Sequence, residues 1–156
     1  FTTAFRGTKQ LFSLNPKDAK IKQITAGNFD VNEIVCVQKS QIFVTRTDIN
    51  HNADLFKINL KDGKMQQITD VNKDNYASIK AGTSELKMVK TTDGKEMGVW
   101  FHYPPNFDPN KKYPTLLYCQ GGPQSALTQF FSTRWNFALM AANGYIIVAP
   151  NRRGMP

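Results

Sequence analysis

Along its first half the chain sets apolar and polar residues in short alternating runs, each ended by a cluster of turn-forming residues. Residues 54–60, DLFKINL, alternate with the period of a half-buried strand, KDGK follows as a turn, and MQQIT returns as a second short strand. Upstream, residues 10–25 read QLFSLNPKDAKIKQIT, and residues 54–69 read DLFKINLKDGKMQQIT. Laid over each other without a gap, the two share Leu, Phe, Asn, Lys, Asp, Lys, Gln, Ile and Thr at an offset of about 44 residues. Each copy predicts a hairpin. In the second, Asp62-Gly63 supplies the positive φ angles that a tight hairpin needs; the first has Asp18-Ala19 there, so a turn of another type is expected.

Between the copies, NEIVCVQ and QIFVTRTD form two more alternating, β-branched runs joined by KS. Four short antiparallel strands per period make one propeller blade. Residues 1–81 therefore read as a partial β-propeller of about two blades. A fragment of a β-sandwich is the alternative, and the in-register repeat argues against it. Because stacked repeats need neighbours to bury a common core, the rest of the ring is expected upstream of Phe1.

From residue 82 the pattern changes. ELKMVKTTDGKEMGVWFHYPPNF predicts a hairpin around Asp93-Gly94, the polar connection DPNKKYP follows, and TLLYCQ reads as a strand. STRWNFALMAANG predicts a helix with Ser132 as N-cap, Trp135, Ala138, Leu139 and Ala142 on one face, and Gly144 as its stop. YIIVAP is then a continuous apolar strand. Strand, helix and strand with both strands apolar point to a parallel sheet covered on both faces.

The net charge of +8 and pI near 9.6 raise the question of nucleic acid. The lysines are dispersed through turn segments such as NPKDAK, LKDGK and DPNKK among Asp and Asn, and form no stripe on one element, so no nucleic-acid partner is expected. Cys36 and Cys119 lie in apolar runs without metal-type spacing and read as small buried hydrophobes, with a disulfide or metal role as the alternative. Phosphate loops and zinc motifs are absent from the sequence, and Asp18, Asp30, Glu33, Asp62 and Glu85 fall in turn or strand-edge settings; no cofactor or metal is expected. No apolar run approaches the roughly 18 residues that a membrane span needs. Phe1 opens without an initiator Met or a signal-type segment, and the far end stops just past an apolar strand, so both ends are expected to be cut.

The candidate chemistry gathers after TLLYC. In an open α/β sheet ligands collect beyond the carboxyl ends of the strands, and there the chain places Gln120-Gly121-Gly122-Pro123. Two glycines let other groups approach the main chain, and the proline fixes its direction. Either this is a plain tight turn or its N–H groups are held bare for an anion. Ser125 is near by, yet neither it nor any other serine stands in a GxSxG setting. His51 reads as a loop residue and His102 as a strand residue.

The repeat followed by TTDGKEMGVWFHYPPNFDPNKKYPTLLYCQGGPQS and WNFALMAANGYIIVAPNRRG resembles the prolyl oligopeptidase family of serine peptidases, in its bacterial dipeptidyl peptidase V and acylaminoacyl peptidase branches. The resemblance implies a mixed fold: C-terminal blades of a β-propeller (residues 1–81), then the first strands and helix of an incomplete α/β-hydrolase domain (residues 82–156). It implies a serine exopeptidase that releases dipeptides through an acyl-enzyme, with peptide substrates and the remainder of the same polypeptide as partners, and a homodimer as a further assembly. Gln120 stands where the family often has Tyr, or His in the acylaminoacyl branch. Its amide, or the backbone N–H groups of Gly121 and Gly122, would form part of the oxyanion hole; a loop-positioning role is the alternative for Gln120. Arg152 and Arg153 would contact substrate or make structural salt bridges. The catalytic triad is expected downstream of Pro156, which would leave these 156 residues inactive alone. A periplasmic location is implied, with the cytoplasm as alternative. Acylaminoacyl peptidase or oligopeptidase activity, or a non-catalytic propeller-containing binding protein, are the rival readings.

Overall fold

A computed structural model describes residues 1–121 and 125–152. The described chain is mostly β and forms two compact units: Phe1–Ala77 with Thr128–Phe131, and Ser78–Leu127 with the residues described from Ser132 onward.

In the first unit, β1 (Thr2–Phe5), β2 (Thr8–Leu14) and β3 (Ile21–Gln23) form a three-stranded antiparallel sheet. Next, β4 (Asp30–Gln38), β5 (Gln41–Asp48), β6 (His51–Asn59) and β7 (Met65–Gln67) form a four-stranded antiparallel meander, the arrangement expected of one blade. A five-residue helix, α1 (Lys73–Ala77), follows. The alternation seen in the sequence settles the faces: Ile42 and Val44 of β5 with Phe56 and Ile58 of β6 point into a core shared with Leu11 of β2 and Val31 of β4. The other edge is bare. Along β4 the side chains of Val35 and Val37 are exposed, and Cys36 between them is exposed too, contrary to the expected burial. Only the start of β4, Asp30 and Val31, is buried, and the strand is exposed from Glu33 to Gln38.

The repeat extends to the hydrogen bonds. Leu11 N donates to Thr25 Oγ1 at 2.9 Å, and Leu55 N to Thr69 Oγ1 at 2.9 Å. Those hydroxyls donate in turn to Gln10 Oε1 (2.8 Å) and Asp54 Oδ1 (2.6 Å). The turns match as well: Lys20 N donates to Asp18 Oδ1 at 3.2 Å, and Lys64 N to Asp62 Oδ1 at 3.0 Å. Ala19, at φ +54°, occupies the place of Gly63 at φ +70°. The expectation of a different first turn is thus corrected, since the aspartate carboxylate holds both turns and only the residue after it takes a positive φ.

Sequence freedom differs between the two sites. A Cβ on Gly63 would come within 2.6 Å of Ile24 O, whereas Ala19 is exposed. Left-handed backbone costs a non-glycine residue about 1–2 kcal/mol, partly offset by the lower unfolded-state entropy of alanine. Ala19→Gly is therefore expected to stabilise the full-length protein by about 0.5 kcal/mol, and Gly63→Ala to destabilise it by about 2 kcal/mol. Urea-denaturation midpoints that moved in the same direction for both would contradict this assignment.

Asp30, placed by sequence at a strand edge, is 1% exposed at the start of β4. Its Oδ1 accepts from Lys9 N (2.7 Å) and Gln129 N (3.1 Å), and its Oδ2 accepts from Thr128 Oγ1. Gln129 Oε1 in turn accepts from Ile49 N at 3.2 Å. A buried carboxylate thus secures the segment Thr128–Phe131 within the first unit.

In the second unit, β8 (Thr83–Lys90) and β9 (Glu96–Tyr103) make the expected hairpin, and Gly94 alone of Asp93-Gly94 takes a positive φ. β10 (Thr115–Leu117) and β11 (Ile146–Pro150) pair in parallel, in a sheet of order β10-β11-β9-β8 whose other pairings are antiparallel. Among the described residues neither strand is covered on both faces. Ile147 and Ala149 of β11 are buried on one face only, while β10 keeps just three residues, all exposed, and Cys119 beyond it is exposed.

Between these strands lies α2 (Phe137–Ala142). Its N-cap is Asn136, whose Oδ1 accepts from Leu139 N at 2.9 Å, while Ser132 Oγ accepts from Trp135 N in the turn before. Starting later than expected rotates the buried face to Phe137 and Ala141, spaced i, i+4, and leaves Trp135 and Leu139 exposed. Gly144, at φ +88°, ends the helical segment as expected.

Candidate functional site

Because β10 and β11 run parallel, their carboxyl ends open at the same edge of the sheet. The register pairs Leu117 with Val148, and Tyr118 N extends it with a 2.8 Å bond to Val148 O. Gln120 and Gly121 leave from one strand, and Asn151 and Arg152 from the other. Arg152 Nη2 donates to Gln120 O at 3.3 Å, a bond to main chain rather than to a carboxylate. Gly122 and Arg153 lie outside the described residues.

The Gln120 side chain is held at both ends. Tyr118 OH donates to its Oε1 at 2.8 Å, and its Nε2 donates to Ser125 Oγ at 3.0 Å. An amide nitrogen carries two hydrogens, so one N–H of Gln120 is left for a further acceptor among the described residues. A Cβ on Gly121 would meet nothing within 4 Å of the described atoms, so its glycine is not demanded by local crowding. Ser125 Oγ is paired with the Gln120 amide, not with a base. His51, at the start of β6, has its Nδ1 2.7 Å from Asp48 Oδ1 in the first unit. The arrangement sets N–H donors at a strand end, a geometry that can stabilise developing negative charge.

Two residues that hold this edge were not singled out by sequence. Asn151 Oδ1 accepts from Leu127 N (2.7 Å) and its Nδ2 donates to Leu127 O (2.9 Å), clamping the segment that returns from the loop. Trp100 Nε1 donates to the same carbonyl at 3.1 Å. Tyr118 stands edge-on to Phe137, with ring centroids 4.8 Å apart, and Phe137 stacks on His102 at 4.9 Å. The only sequence signal for Asn151 is a polar residue placed directly after an apolar strand.

His102 lies under the aromatic group, 3% exposed, with its Nδ1 unpartnered among the described residues. Burial lowers its pKa from the ordinary 6.5 to about 4. A histidine kept neutral in the fold contributes stability that is complete above the unfolded pKa and is lost as pH falls through the folded one. Acidification from about pH 6.5 to about pH 4 is expected to remove about 3 kcal/mol. In His102→Phe, which keeps the ring stack, that loss should vanish; denaturant titrations at several pH values read the slope, and an equal slope in the variant would contradict the assignment.

A family model described as the dipeptidyl peptidase IV (DPP IV) N-terminal region matches residues 1–98. The chain belongs to the prolyl oligopeptidase family. Among curated members, it is 41% identical over its whole length to Dipeptidyl-peptidase 5 of Porphyromonas endodontalis, and 43% identical over 94% of its length to Dipeptidyl-peptidase 5 of Porphyromonas gingivalis. It spans about a fifth of those relatives, 22% and 21% of their lengths. The fold is shared with the acylaminoacyl peptidase of Pyrococcus horikoshii, at a TM-score of 0.79 and 24% identity over 99% of this chain and 23% of that one. The open antiparallel sheets of the first unit accordingly match the propeller-type region of this family.

Proposed function

We propose that this chain is part of a serine exopeptidase that releases dipeptides from peptide N-termini through an acyl-enzyme. The observation that carries the reading is the Gln120-Gly121 loop at the carboxyl end of β10, beside the end of parallel β11, in a chain whose relatives are dipeptidyl peptidases. In this reading residues 1–81 contribute propeller blades, and residues 82–156 open an α/β-hydrolase domain in which sheet order β10-β11-β9-β8 forms one edge. Gln120 Nε2 and the N–H groups of Gly121 and Gly122 provide oxyanion donors, and Arg152 holds the Gln120 carbonyl. The nucleophile, base and orienting acid come from sequence beyond Pro156, so residues 1–156 alone are inactive.

Resemblance to bacterial dipeptidyl peptidases supports a periplasmic location, which fractionation with a cytosolic marker tests; recovery only with the marker overturns it. The activity is tested by treating the full-length protein with a fluorophosphonate probe. Covalent labelling that a dipeptide chloromethyl ketone blocks is expected. Failure to label, under conditions that label a known serine peptidase, would leave the non-catalytic binding protein as the reading.

A further inference from the structure

Within the first unit β5, β6, β7 and the α1 segment surround a cavity of about 320 Å³, large enough for one or two amino-acid residues. Arg46 of β5 reaches into it. Its guanidinium carbon lies 4.2 Å from the ring centre of Phe29 and 4.9 Å from that of Phe56, so two aromatic rings hold the group in place. The guanidinium has five N–H donors. Among the described residues the one hydrogen bond it makes is from Nη1 to Met65 Sδ at 3.6 Å, and it forms no ion pair. Burial lowers its pKa, with the charge of Asp48 opposing that shift.

Asp48 acts on Arg46 through charge alone, and among the described residues neither neighbouring acid pairs with it. Asp48 accepts from Asn50 N, His51 N and His51 Nδ1, and Asp54, the cross-strand neighbour of Arg46, accepts from Thr69 Oγ1 and Val71 N. Nor do the acids converge on a cation, since no group of three or more His, Cys, Asp or Glu among the described residues could hold a metal. The cavity wall also carries Lys73, Asp70 and Tyr76, with Lys73 exposed at its rim. A half-buried planar fork with unspent donors suits an oxygen pair. Asp48, Asp54 and Asp70 on the same wall weigh more heavily against a doubly charged phosphate than against a singly charged carboxylate.

We infer that this cavity binds the carboxylate of a peptide, gripped by the ring-clamped Arg46 with Lys73 at the rim. Choosing a peptide as the carrier rests on the peptidase reading; the carboxylate chemistry does not. Two sources share it, a C-terminal carboxylate and an acidic side chain.

The test is calorimetric binding to the full-length protein of N-acetyl-diglycine, N-acetyl-diglycine amide and N-acetylglutamate α-amide, whose blocked amines exclude recognition of a free N-terminus. At least one of the two acids is expected to bind, and the diglycine amide is not. A response to N-acetyl-diglycine alone names the C-terminal carboxylate, and one to N-acetylglutamate α-amide alone names the side chain. Arg46→Lys, which keeps charge and loses the fork, should weaken binding at least fivefold, and Lys73→Ala, at an exposed position that the fold does not depend on, about threefold. Thermal unfolding checks that Arg46→Lys is folded; if it is not, Lys73→Ala decides. No binding of either acid, equal binding of the amide, affinity unchanged in the folded variants, or displacement by inorganic phosphate at the acid's own concentration would overturn the inference. Binding requires no turnover, so a protein that takes the acid yet resists the fluorophosphonate sinks the peptidase reading alone.

Discussion

Replacing Asp30 with alanine is expected to destabilise the full-length protein by about 2–4 kcal/mol, because it leaves the part-buried N–H of Lys9 and the buried N–H of Gln129 without this acceptor. The Thr128 hydroxyl also loses its partner, although it can rotate toward another. Asp30→Asn distinguishes lost hydrogen bonding from lost charge. Its Oδ1 can keep both N–H donors and its Nδ2 can donate to Thr128 Oγ1, so it should cost less than about 1 kcal/mol. The wild-type carboxyl carries a pH signature as well. Burial raises its pKa above the ordinary 3.8, against the hydrogen bonds from Thr128, Lys9 and Gln129. The stability linked to its proton is therefore complete below the unfolded pKa and is lost as pH rises through the folded one, opposite in direction to His102. The asparagine variant should lack this dependence. Denaturation midpoints for the two variants, measured in parallel, check the expectation; equal losses would show that charge, not donor satisfaction, holds the segment.

The second large effect concerns Gln120. On the proposed reading, Gln120→Ala in the full-length protein is expected to lower kcat about 100-fold with a much smaller change in KM, since an oxyanion donor strengthens its bond only as charge develops. Tyr118→Phe, which removes the hydroxyl that holds Gln120 Oε1, should lower kcat by less, because Ser125 still holds the other end. Gln120→Tyr tests the role from the other side: a phenol is a donor that related peptidases are expected to use there, so it should recover part of the rate. Steady-state kinetics on a chromogenic dipeptide substrate read all three. An unchanged kcat in Gln120→Ala would transfer the oxyanion role to the backbone N–H groups of Gly121 and Gly122.

Much of the fold was legible because it is local. The hairpin repeat is visible in sequence since the residues that recur, Asp18 and Asp62 in the turns and Thr25 and Thr69 beyond them, are the ones whose side chains bond the recurring main-chain groups. The turn at Ala19 is not legible from the absence of glycine, which is only one way to reach a positive φ; the carboxylate of Asp18 fixes the turn, and alanine is tolerated at this exposed position. The parallel pairing of β10 with β11 followed from apolar runs around a helical segment. Helix α2 was displaced because Asn136 competes with Ser132 as a cap, and a later start moved the buried face from Leu139 to Phe137 and Ala141. The burial of Asp30 and His102 could not be read locally. Asp30 is covered by residues near position 128, and His102 by an aromatic group assembled from a strand and a helix. At the candidate site the loop itself was legible from its glycines, whereas the clamp of Asn151 on Leu127 spans 24 positions and left no pattern. The Arg46 cavity was equally hidden, because a lone arginine in an alternating strand looks like any solvated position.

The activity proposed for the full-length protein is removal of dipeptides from free N-termini. Mass spectrometry of products from one peptide, supplied with a free and with an acetylated amine, tests it most directly. Successive dipeptides are expected from the free peptide and none from the acetylated one. Release of the acetylated first residue, internal fragments from both peptides, or no cleavage of either would contradict it.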